Sequence, residues 1–107
     1  MMQGKALYIG TPGTAVEPVI QITNGDKAVI TSIRLAAPTN NNGKFSMYHL
    51  TRGEVSIDTN QCIAHDVTVN SKNATEFLTH PLPVSPGESI YVSGQHISVA
   101  IYGVTFP

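Results

Sequence analysis

The residues able to do chemistry are few and scattered. The chain holds four histidines, His49, His65, His80 and His96, and a single cysteine, Cys62. A zinc-type site draws on such side chains at short spacings, as in H-E-x-x-H, H-x-H or a Cys/His pair, and none of these occurs. His49 and His65 would approach each other if their segments pair as strands. Asp66 would then face away from His65, because consecutive strand residues point to opposite sides. The histidines therefore read as hydrogen-bonded or exposed, with no metal and no cofactor. Cys62 has no evident base on its own face, and a thiol in a strand ordinarily behaves as a small buried hydrophobe. The seven carboxylates, Glu17, Asp26, Glu54, Asp58, Asp66, Glu76 and Glu88, are dispersed, and no G-x-S-x-G, G-x-x-x-x-G-K-[ST] or G-x-G-x-x-G motif is present. A carboxylate pair assembled by the fold stays open, since such pairs can be distant in the chain. With no tryptophan to line a sugar-processing cleft, the expectation is that the chain is not an enzyme.

The aromatic residues carry more information. Tyr91 and Tyr102 fall opposite the apolar face in the last two alternating runs, and Phe106 joins them if the register persists. Ile30 lies on a corresponding second face. Such side chains either cover the second side of a twisted sheet or form a patch for a partner, because aromatic rings are enriched at interfaces. Tyr91, Tyr102, Ile30 and Phe106 are the candidate interface residues.

Strands must position all of these. In KAVITSIRL, Val29, Thr31, Ile33 and Leu35 share one face, and Ala28, Ile30, Ser32 and Arg34 the other. FSMYHL, CIAHDVTV, ESIYVS and HISVAIYGV alternate in the same way, the strand period. Asn24-Gly25-Asp26 is a turn signal, and Pro38 to Gly43 is a polar loop. Ser85-Pro86-Gly87-Glu88 places Pro and Gly as a type II turn requires. Ser93-Gly94-Gln95-His96 is expected to close the last two strands into a β-hairpin. Ser71 to Glu76 is the one stretch that would take a turn of helix, and Asn73-Ala74-Thr75 within it reads as a turn rather than a glycosylation site. The pattern predicts an all-β protein: a single antiparallel β-sandwich of about seven or eight strands, jelly-roll or immunoglobulin-like. Residues 1–5 form an N-terminal arm and residues 6–107 the domain.

Composition narrows the function classes. Only 12% of the 107 residues are charged and the net charge is −1, against ~25% charged in an average domain. No basic block is present to neutralise phosphates, so no nucleic acid is expected. No apolar run approaches the roughly 20 residues of a membrane span, so no membrane is expected either. The N-terminus shows no signal-peptide pattern, and a lone cysteine fits assembly in a reducing compartment. So few charges leave little to keep copies apart, which favours a surface partly covered by other subunits.

Three stretches carry a resemblance: Ala28 to Leu35, reading AVITSIRL; Leu82 to Val92, reading LPVSPGESIYV; and Ile97 to Val104, reading ISVAIYGV. Together they resemble small structural proteins of tailed bacteriophages, over most of the chain from Ala6 to Phe106. Ala36-Ala37-Pro38 departs from the Asn expected after the first of these strands. The resemblance implies a virion β-sandwich, assembled in the bacterial host cytoplasm, that works by self-association and docking. The leading role is capsid decoration (cement) as a homo-oligomer, a homotrimer on the major capsid protein. A neck, tail or fibre-attachment component is the alternative. So is a surface carbohydrate- or receptor-binding module using the loops Asn40 to Asn42 and Asp58 to Gln61. The resemblance brings no catalytic residues.

Overall fold

A computed structural model describes residues 5–22, 26–50, 62–77 and 80–106. These form nine β-strands and no helix: β1 (Lys5–Gly10), β2 (Glu17–Gln21), β3 (Lys27–Ala36), β4 (Gly43–Leu50), β5 (Cys62–Val69), β6 (Ala74–Glu76), β7 (Leu82–Val84), β8 (Ser89–Gln95) and β9 (Ser98–Phe106). One sheet runs β1-β9-β3, with β6 and β7 both pairing the far side of β3; the other runs β2-β8-β4-β5. All pairings are antiparallel, and they nest: β4 with β5, β3 with β6 and β7, β2 with β8, β1 with β9. The chain is thus one long two-stranded ribbon that curls on itself until β8 meets β4 and β9 meets β3. With β6 and β7 taken as one interrupted strand, this is the strand order of a jelly roll, not of an immunoglobulin sandwich.

The core lies between the sheets. Ala28, Ile30, Ile33, Leu35, Val99 and Ile101 come from the first sheet, and Ile20, Phe45, Met47, Ile90 and Val92 from the second. Each large side chain among them contributes roughly 1.5–3 kcal/mol by leaving water. Phe77 closes one side with its ring edge-on to Phe45, centroids 6.1 Å apart.

Strict alternation breaks at Thr31. Ile30 pairs with Gly103 and Ser32 with Tyr102, so Thr31 has no opposing residue. One extra residue flips the faces of everything beyond it. Ala28 and Ile30 therefore point inward before the bulge, and Ile33 and Leu35 after it. This corrects the placement of Ile30 on an outer face: it is 0% exposed and belongs to the core. Leu7 in β1 and Val19 in β2 are extra residues of the same kind.

The C-terminal stretch also differs from expectation. β8 and β9 belong to different sheets, so residues 85–107 are not a hairpin. The chain turns a corner at His96, whose φ is 54°, buries Ile97 and starts β9 across the sandwich. Ser71 to Glu76 forms a turn and then β6 rather than a helical turn. The Ser85–Glu88 turn is as predicted, with Gly87 at φ 85° and the Glu88 amide donating to the Ser85 carbonyl at 3.0 Å. Lys5, assigned to the arm, already pairs with Gly103. Residues 1–4, the Asn24-Gly25 turn and the 58–61 loop lie outside the described residues.

Candidate functional site

The jelly roll has two outer faces, and the candidate interface residues divide between them. On the second sheet, Tyr91 of β8 pairs directly across from Tyr48 of β4 on one side and from Pro18 of β2 on the other. On the first sheet, Ala100, Tyr102, Val104 and Phe106 alternate with the inward residues of β9. Val29 pairs with Val104, and Ile9 of β1 is 66% exposed. None of Tyr48, Tyr91, Tyr102, Val104 and Phe106 packs against the core cluster. Tyr91 and Tyr102 therefore look out from opposite sides and cannot serve one interface, as a hairpin would have allowed. Ile9, Val29 and Val104 add to the candidates. Strict alternation groups Val29 with Ile33 and Leu35, and the Thr31 bulge, silent in that alternation, separates them.

The histidines do not converge. The His49 ring Nε2 lies 2.8 Å from Glu88 Oε1, and the same oxygen accepts the Ser85 amide at 2.9 Å. This half-buried carboxylate thus ties β4 to the turn before β8. His65 Nε2 is 3.7 Å from Asp66 Oδ2, although plain alternation would separate them. Asp66 sits at φ 48° within an irregularity of the β4–β5 pairing, and that lets the two exposed side chains meet. His80 and His96 are exposed. Among the described residues, no three His, Cys, Asp or Glu side chains gather where a metal could be held.

One cleft opens beside the Tyr48–Tyr91 pair. Its volume is about 170 Å³, and its polar side chains are Thr14, Lys44, Ser46, Asp66, Ser93 and Gln95. The floor is made by the cross-strand pairs Lys44–Gln95 and Ser46–Ser93, which continue the row that contains Tyr48–Tyr91. Ser46 is buried, and its hydroxyl accepts the Asp66 amide at 3.0 Å. The β1–β2 connection forms a wall, pinned where the Gly94 amide donates to the Gly13 carbonyl at 2.8 Å. With one carboxylate, one ammonium, an amide and hydroxyls, the cleft can hydrogen-bond a ligand. The Asn40 to Asn42 loop is exposed, and Asn42 is engaged by the Ser71 amide at 2.9 Å.

Comparison with protein-family models, with curated proteins and with solved structures gave no match to this chain.

Proposed function

We propose that this chain is a structural protein of a tailed bacteriophage virion, a decoration protein that docks on the capsid shell as a homo-oligomer. The observation that carries this reading is the outer face of the first sheet. Part-exposed Ala100, Tyr102, Val104 and Phe106 run down β9, flanked by Val29 and the projecting Ile9. The polar groups near it include the exposed Arg34–Glu76 pair, 3.5 Å apart, which contributes only ~0–1 kcal/mol. An apolar, aromatic-bearing row along β9, bordered on β3 by Lys27, Ser32 and Arg34 as well as Val29, on a chain with 12% charged residues matches the apolar centre and polar rim of a surface that another protein covers. Docked around three-fold axes on the major capsid protein, such a face would repeat many modest contacts over the shell and resist its rupture. The sequence resemblance supports the same reading.

Binding of purified protein to undecorated capsids tests it. Tyr102→Ser combined with Phe106→Ser should abolish sedimentation with capsids, while Tyr91→Ser, on the opposite face, should leave it intact. Equal binding by all three folded proteins would contradict the assignment of this face.

A further inference from the structure

We propose that the cleft beside Tyr48 and Tyr91 binds one ring of a neutral sugar, its hydroxyls held by Lys44, Asp66, Ser93 and Gln95 and its C–H face against the tyrosine pair. The site does not depend on the virion reading, since it lies on the sheet opposite the proposed docking face.

Size comes first. The cleft is open to solvent and offers about 170 Å³, a small site that suits one small polar molecule. Ligand pockets for larger molecules run from about 300 Å³ upward.

Charge comes second. Lys44 brings a cation and Asp66 an anion to the same small cleft. A phosphate would meet the Asp66 carboxylate, and a metal ion would meet the Lys44 ammonium. A neutral ligand avoids both repulsions. It must also satisfy a lining that alternates donors and acceptors: ammonium, carboxylate, the amide of Gln95 and the hydroxyls of Ser93 and Thr14. Adjacent hydroxyls on a sugar ring, each donor and acceptor at once, have that character.

The third observation is the aromatic pair. Tyr48–Tyr91 follows Ser46–Ser93 on the same face, two residues further along each strand, or about 7 Å at ~3.3 Å per residue. Tyrosine presents an apolar ring with a polar tip, which suits a ligand with one C–H face and a rim of hydroxyls.

The backbone under one part of the lining is held before any ligand arrives. Asp66 keeps a left-handed backbone at φ 48°, a conformation that Asp tolerates better than most residues. Its amide is fixed to the buried Ser46 hydroxyl. Strain retained at a cleft is a recurring mark of function.

Nitrogen-15 NMR titration with free glucose, galactose, mannose and N-acetylglucosamine tests the proposal. At least one sugar should shift the amides of Asp66, Ser93 and Gln95 in the wild-type protein. Lys44→Ala with Gln95→Ala, both exposed positions, should weaken that sugar by about tenfold, equivalent to ~1.4 kcal/mol. Tyr102→Ser should bind it as the wild type does. Absence of shifts with every sugar at its solubility limit would overturn the proposal. So would shifts centred elsewhere, an unweakened double variant, or stronger shifts with free glycine or inorganic phosphate.

Discussion

At Gly103 the backbone of β3 comes so close that a Cβ would drive into the Val29 carbonyl oxygen. The strand must move for any larger residue, and β3 is held there by its pairing with β9. Gly103→Ala should therefore cost at least the ~1–3 kcal/mol of an overpacked site, seen as a lower urea midpoint. Ile30 is the contrasting case, because its loss leaves a cavity between the sheets. Ile30→Ala should cost about 2–5 kcal/mol, whereas Tyr102→Ser on the outer face should stay within roughly 1 kcal/mol. If Tyr102→Ser destabilised as strongly as Ile30→Ala, that ring would be structural and its face would be no interface. Glu88→Ala removes the acceptor shared by His49 and the Ser85 amide. It should cost on the order of 1 kcal/mol, since half-buried His49 loses its partner while the exposed Ser85 amide turns to water. Gly87 was legible from its neighbours, since a Pro-Gly turn announces its own geometry. Asp66 was not, because nothing in CIAHDVTV marks where the strand departs from regular pleat.

Among the elements, β3 shows most clearly what alternation can and cannot tell. KAVITSIRL reads as a strand from period alone, yet a bulge at Thr31 decides which of its residues reach the core. Deleting Thr31 would restore continuous pairing and turn Ala28 and Ile30 outward. The prediction is a chain without a cooperative thermal transition; a folded deletion variant would show that the bulge is dispensable. The segment between β8 and β9 was misread for a related reason. A tight hairpin and a corner between sheets have similar short polar sequences, and only tertiary packing separates them. The left-handed His96 at that corner makes a further distinction. His96→Gly should be tolerated or slightly stabilising, while His96→Val should lose about 1–2 kcal/mol, the cost of a left-handed side-chain residue. Thermal melts of the two variants decide this.

For the whole molecule, the nested ribbon places β9 between β1 and β3 in the centre of its sheet. The expectation of a sandwich followed from strand period, turn spacing and the scarcity of helical windows. The choice of jelly roll did not, because strand order depends on which distant runs pair. The same gap split the tyrosines: Tyr91 and Tyr102 seemed to share a surface until β8 and β9 fell into separate sheets. What the fold leaves is a two-sided molecule, with an apolar row along β9 on one sheet and, on the other, a polar cleft next to the Tyr48–Tyr91 pair. A decoration protein needs one face for the shell and leaves the other to solvent. Copy number in purified virions tests that account most directly, by quantitative mass spectrometry against the major capsid protein. A decoration protein spread over the shell gives a ratio approaching one to one. A few copies per particle, or none, would contradict it.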